Sequence, residues 1–286
     1  MRFSGHETFI CKQFWLKKGY DFLLAGNKFS DNNAVVELGV GKNMVAAIGF
    51  WMKAFGVCDD KWNLTEKAHY IFAEDGKDKY LEDIGTIWLL HYFLVKENYA
   101  SIYNYFYNNF RREYPEFTNE RLHNNIKPIA EADNSYNENT ISADISVLLR
   151  MYQRIDNTDS RSELEDSYSS IFNDLQLIHK IQTEKNEEKR ILPSDEKVSL
   201  PAEIVLYAIL DNYRGEEIIS FRELHVGYNS PGMIFGLTKE GLYSKIEEIT
   251  KNYRDIVFSS NAGVQVLQFK SPIDKWSVLD NYYDGN

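Results

Sequence analysis

Residues 31–57, DNNAVVELGVGKNMVAAIGFWMKAFGV, constrain the chain most, because they read as two helices joined by a tight turn. Val35, Val36 and Leu38 supply the apolar positions of a short first helix, and Gly39-Val40-Gly41 breaks it. A second helix follows, with Val45, Ile48, Met52 and Phe55 at steps of three and four and therefore on one face. Glycine takes positive φ without steric cost, which suits a sharp turn at the break. This is the geometry of a helix-turn-helix, whose second helix can enter a DNA major groove.

The string ELGVGKNMVAAI resembles the turn and recognition helix of winged-helix transcription regulators. Gly41 stands at the N-cap position. Lys42 stands where a phosphate contact is made, and Asn43 reaches a base edge or a phosphate. Ala46 and Ala47 replace the basic residues expected deeper in the helix and shorten its reach. The competing reading is a buried helical hairpin with no nucleic-acid contact. On the DNA reading, Lys42, Asn43, Lys53 and Lys61 face DNA, and Lys12, Lys17 and Lys18 are flanking phosphate contacts.

Charge bears directly on that choice. The 286 residues carry a net charge of −11, whereas tight non-specific DNA binding needs a basic footprint. Residues 1–75 are neutral, with nine Lys/Arg and nine Asp/Glu, so the acidity lies further along and suits a protein partner better. Cys11 and Cys58 are the only cysteines, which supports neither a disulfide framework nor a cysteine zinc site. No apolar run reaches membrane-spanning length, and the N-terminus lacks the apolar stretch of a signal peptide. A cytoplasmic chain without metal or cofactor is expected. Gly41-Lys42 mimics the end of a phosphate loop, but Asn43 replaces Ser/Thr and the first glycine is missing, so nucleotide binding is rejected.

Ahead of the helix-turn-helix, FSGHETF offers Ser4 and Thr8 as caps for a helix over 11–24, with Glu7 placed as in a capping box. After it, Asp59-Asp60-Lys61 marks a turn, and Trp62 and Leu64 suit a short wing strand ahead of a helix. The spacing then predicts helices over 83–95 and 99–110, the first apolar almost all round and hence central to a core. Thr118 or Asn119 caps a helix that Pro128 kinks or ends, and Asn139-Thr140 caps another. Residues 156–198 read as a polar connector with a short element at 171–181. The last segment is compact: helices over 200–213 and 238–253, a strand and helix over 218–224, and a hairpin around Asn261-Ala262-Gly263. Its helix mixes Lys239, Lys245 and Lys251 with Glu240, Glu247 and Glu248, so protein contact suits it at least as well as DNA.

His6, Glu7 and His91 are the candidates for an enzyme. No nucleophile–base pair or metal-ligand spacing accompanies them, so capping and packing are the simpler roles.

FSGHETFICKQFWLKKG, LGVGKNMVAAIGFW and DIGTIWLLHYFL, in that order, resemble the bacterial domain-of-unknown-function family 4007 over nearly the whole chain. The resemblance implies a companion of phosphoadenosine-phosphosulfate-reductase-like enzymes in DNA-phosphorothioation and phage-defence clusters, and it carries no catalytic residues. The expectation is a mainly α protein with winged helix-turn-helix domains at both ends and small β-hairpin wings. Its segments are a winged helix-turn-helix at 1–75, a helical middle at 76–155, the connector at 156–198 and a winged-helix-like domain at 199–286. The expected role is a non-enzymatic DNA-binding or adaptor subunit whose partners are double-stranded DNA and protein components of a modification or defence complex. The alternatives are a protein-interaction scaffold without DNA binding, and an enzyme built around His6/Glu7 or His91.

Overall fold

The computed structural model describes residues 1–153, 169–182, 188–261 and 263–285. The chain is mainly helical, carries two small antiparallel three-stranded sheets, and divides into two compact units, Met1–Pro193 and Ser194–Asn286. No helix among the described residues is long and apolar enough to cross a membrane.

The first unit opens with α1 (Trp15–Leu24), α2 (Ala34–Leu38), α3 (Lys42–Ala54) and α4 (Glu66–Phe72). Gly19 lets α1 approach α3 closely: a Cβ there would lie 2.5 Å from the sulfur of Met52. The expected wing strand is reduced to one bridge, Cys58 opposite Leu64. The Asp59 carboxylate explains this, because it accepts from the Lys61 and Asn63 backbone N–H groups at 2.8 Å each and from the Asn63 amide at 2.8 Å. The tight turn leaves only its two flanking residues to pair. Those same hydrogen bonds, Asn63's first, hold the Asp59 carboxyl below its usual range.

α5 (Ile84–Glu97) is capped by Asp83, which accepts from the Thr86 N–H at 3.0 Å. Every residue from Gly85 to Val95 is buried, as its all-round apolarity predicts. The next helix is composite: α6 (Ser101–Tyr105), a π-helical turn (Phe106–Phe110) and α7 (Arg111–Glu113). β1 (Glu116–Phe117) leads to α8 (Asn119–Ala132), capped by Thr118. Pro128 lies inside α8 and does not end it, on a stretch (Lys127–Ile129) that is exposed. A missing amide there is tolerated because water can serve the carbonyl left over. α9 (Glu138–Tyr152) is capped two residues earlier than Asn139, by Asn137, which accepts from the Thr140 N–H at 3.0 Å.

The expected connector contains structure. Part of it (residues 156–168 and 183–187) lies outside the described residues, but Ile171, Phe172, Leu177 and Ile178 are buried. β2 (His179–Gln182) and β3 (Glu188–Ile191) then pair antiparallel, and β3 also pairs β1. The charged string that suggested a solvated linker therefore includes strand β3.

The second unit runs α10 (Ala202–Asn212), β4 (Ile218–Ser220), α11 (Phe221–Val226), α12 (Pro231–Phe235), α13 (Lys239–Asn252), β5 (Ile256–Asn261), β6 (Val264–Phe269) and α14 (Lys275–Gly285). β6 is the central strand, between β4 and β5, with Phe258 opposite Leu267 and Ile219 opposite the same residue on the other side. Thr238 caps α13, accepting from the Gly241 N–H at 3.0 Å. Leu242, Ile246 and Ile249 form its buried face.

Candidate nucleic-acid interface

The turn between α2 and α3 is built from its two glycines. Gly39 ends α2 in the left-handed region at φ 60°, and its N–H and that of Val40 return to the carbonyls of Val36 and Val35. Gly41 is the N-cap of α3 in extended conformation (φ −65°, ψ 159°) and offers no side-chain cap. The amides of the first turn are thus left for water or an anion at the positive end of the helix. Lys42 and Asn43 lie exposed on that turn, and Lys42 joins no ion pair among the described residues.

Beyond the first turn the helix is covered. Val45, Ile48, Met52 and Phe55 are buried as expected, and so are Ala47, Gly49, Phe50, Trp51 and Ala54. Phe29 and Trp62 lie over Gly49, where a Cβ would come within 3.1 Å of the Trp62 ring and 3.4 Å of Phe29. Trp62 is held at φ 69°, a conformation that strains a bulky residue. The Lys53 ammonium sits 3.9 Å above the Trp62 ring and donates to the Asp60 carbonyl at 3.2 Å. A groove-reading face along the whole of α3 is absent for this reason; its open part is Lys42, Asn43 and Ala46.

Two other lysines are also engaged. Lys18 donates to the Leu38 carbonyl at 3.0 Å and so ties α1 to the end of α2 beside the turn. Lys17 is paired with Asp21 at 2.5 Å. Lys12 is half-buried, with its backbone bridged to Ser170. Lys61 is exposed at the tip of the Asp59 turn. The structure therefore places Lys18 at the end of α2 and Lys42 and Asn43 at the start of α3, on either side of the α2–α3 turn, and Lys53 about 16 Å further along α3 at 1.5 Å per residue. A cavity of about 420 Å³ beside the junction is lined by Lys17 and Lys18 but also by Asp21 and Glu37. The exposed Phe14 also lines this cavity.

The enzyme candidates do not converge. His6 is buried at 3% exposure, whereas Glu7 points to solvent. His6 Nδ1 accepts from the Thr8 N–H at 3.2 Å, so Nε2 carries the proton and donates to Asp144 Oδ1 at 3.0 Å. The Ser4 N–H donates to both Asp144 oxygens, at 3.1 and 3.2 Å. Ser4, Gly5, Glu7 and Thr8 all take positive φ, so this segment is a strained loop wrapped on α9 and not the expected capping box. Phe14 is the N-cap of α1 and gives no side-chain cap. His91 is elsewhere, fully buried, with Nδ1 2.8 Å from the Tyr152 hydroxyl and its ring against Tyr107 and Phe172. Asp144 is the residue that sequence reasoning missed: its partner is 138 positions away, and no local pattern signals the pair.

Both cysteines are buried and unpaired with each other. Burial pushes the Cys58 thiol up from 9.0 to about 12, despite the nearby Lys53 pulling it down. Alkylation by iodoacetamide at pH 8 is expected to be negligible in the native protein and complete in denaturant. Fast native labelling would contradict the packing around Cys58. The same raised value stabilises the fold fully below pH 9, and that contribution is lost as pH rises toward 12, because the unfolded thiol ionises first.

A family model described as "Protein of unknown function (DUF4007)" matches residues 3–283. Two crystal structures of SspB are similar to the chain, both at 29% sequence identity and both covering 99% of this chain and 88% of theirs. The magnesium-bound one gives a TM-score of 0.87 and the other 0.85. No curated protein matches significantly. The magnesium-bound form prompts a test of fit, and among the described residues no group of three or more His, Cys, Asp or Glu side chains is placed to hold a metal ion.

Proposed function

The chain belongs to the DUF4007 family, and from that premise we propose that it is a non-enzymatic, DNA-contacting subunit of a bacterial DNA-modification or phage-defence system. The observation that carries this reading is the first turn of α3, where Lys42 and Asn43 stand exposed on an uncapped helix N-terminus fixed by a glycine turn. Cation, amide side chain and helix dipole there all suit a DNA phosphate. The reach is one turn, so the contact is a small local patch with strong salt dependence, consistent with the neutral charge of residues 1–75. The likeness to SspB and the phosphorothioation context implied by the family resemblance support the DNA setting. In this reading residues 1–75 act as a winged helix-turn-helix with a minimal wing, residues 199–286 as a second winged unit, and the contact uses no metal.

A second reading, a protein adaptor, is favoured by one specific feature: Phe14 exposes apolar surface in the cavity that Lys18 also lines, in a chain of net charge −11. The two separate cleanly. Replacing Lys42 and Asn43 together by alanine is expected to weaken binding of a fluorescent DNA duplex about tenfold at low salt without lowering the melting temperature. Unchanged affinity would reject the α3 turn as the contact.

A further inference from the structure

The second unit is acidic, with fourteen Asp/Glu against nine Lys/Arg over residues 194–286. Yet it contains a cleft of about 720 Å³ whose ten lining residues include Arg222, His225 and Lys239 and no carboxylate. Lys239 begins α13 and Arg222 is the second residue of α11; both are exposed, and neither joins an ion pair among the described residues. The far wall is the β5–β6 hairpin tip: Gly263, in the left-handed region at φ 82°, then Val264 and Gln265. Three aromatic rings are layered here, His225 on Phe221 at 6.1 Å and Phe221 on Tyr243 at 4.2 Å, with Phe258 edge-on to the last two. Tyr243 lies one turn beyond Lys239 on α13 and is half-buried, so its ring lies in the cleft wall beside the cation. Glu247, a further turn along, bounds the cationic patch.

We propose that this cleft is a second nucleic-acid contact, in which Arg222 and Lys239 grip the phosphate backbone of a DNA duplex between the start of α13 and the hairpin tip. Three features of the site select that occupant. A cation-bearing cleft with no carboxylate in its lining is complementary to a polyanion, although Glu223, Glu240 and Glu247 stand exposed outside that lining. A helix lying beside a β-hairpin presents two elements that can straddle one backbone strand. Gln265 and Tyr243 add neutral hydrogen-bonding groups of the kind that fix register on phosphates without reading sequence. The proposal rests on the DNA-contacting reading above and extends it to a separate surface. An acidic protein segment is the competing occupant, and the test distinguishes it.

The test uses the full chain, fluorescence anisotropy and a labelled duplex of random sequence, with a poly-glutamate peptide as the competing probe. The variant R222A/K239A changes two exposed side chains, and its melting temperature verifies the fold. The expected result is about tenfold weaker duplex binding and a salt slope shallower by about two, from two lost phosphate contacts. R222K/K239R is expected to restore both. Loss of binding in the Lys42/Asn43 variant alone, with R222A/K239A indistinguishable from the native chain, would overturn this inference and leave the α3 contact standing. Loss in R222A/K239A alone would support the cleft and remove the α3 turn. Binding of poly-glutamate through these residues with no duplex binding would overturn the cleft as a DNA contact.

Discussion

Asp144→Ala is expected to destabilise the first unit by about 3–5 kcal/mol, the scale of breaking a buried charged hydrogen-bonded cluster by removing one partner. Asp144 is 4% exposed and is the common acceptor for the His6 ring and the Ser4 N–H. Its removal leaves the buried His6 donor and the Ser4 N–H without their acceptor and frees a loop held at positive φ in four positions. For a unit of this size the melting temperature should fall by roughly 10 °C. Asp144→Asn keeps the shape and one acceptor, so its loss should be smaller. Thermal unfolding followed by circular dichroism makes the measurement, and an alanine variant melting within about 2 °C of the native chain would show that the loop is held by something else. The same experiment bears on the enzyme alternative, because it asks whether His6 is explained by structure.

Gly232→Ala is expected to cost the second unit about 3 kcal/mol or more, at the upper end for overpacking. A Cβ at position 232 would lie 2.2 Å from the His225 carbonyl oxygen and 2.7 Å from its Cα. Those are backbone atoms and cannot rotate away as a side chain would, so α11 and α12 must separate. Hydrogen exchange read by mass spectrometry should show the loss over residues 202–269, with the first unit unchanged. Native-like protection across α11 and α12 would contradict their close approach. Because His225, Arg222 and Phe221 stand on α11, the variant should also disturb the cleft.

The parts of the fold with a local signature were legible in the sequence. Apolar periodicity located α3 and α5, and Thr118 is the cap of α8, one of the two candidates its position suggested. The glycine pair at 39 and 41 located the α2–α3 turn, since only a residue without a side chain enters the left-handed region so easily. What failed depended on distant partners. FSGHETF looked like a capping box because Ser4 and Glu7 have that spacing, but the Asp144 carboxylate draws the loop away from helical geometry. Strand β3 was hidden by its charge, whereas β2 overlaps the short element expected at 171–181. Lys189 and Arg190 resemble a solvated run until β3 pairs with β1 and β2. Of the apolar positions Val35, Val36 and Leu38 on α2, only Leu38 is buried, because a five-residue helix has only enough surface to bury Ala34 and Leu38. At the candidate interface, spacing identified Lys42 and Asn43, but nothing local revealed that Trp62 and Phe29 would close over Gly49 and occupy Lys53.

The most direct test of the central claim is the salt dependence of duplex binding, with phosphorothioate-modified and unmodified DNA compared side by side. The account predicts measurable affinity near 50 mM salt, a steep linear fall of log K with log salt, and a slope shallower by about one in Lys42→Ala. Absence of duplex binding at the lowest salt, or a slope unaltered by that substitution, would contradict DNA contact through the first turn of α3.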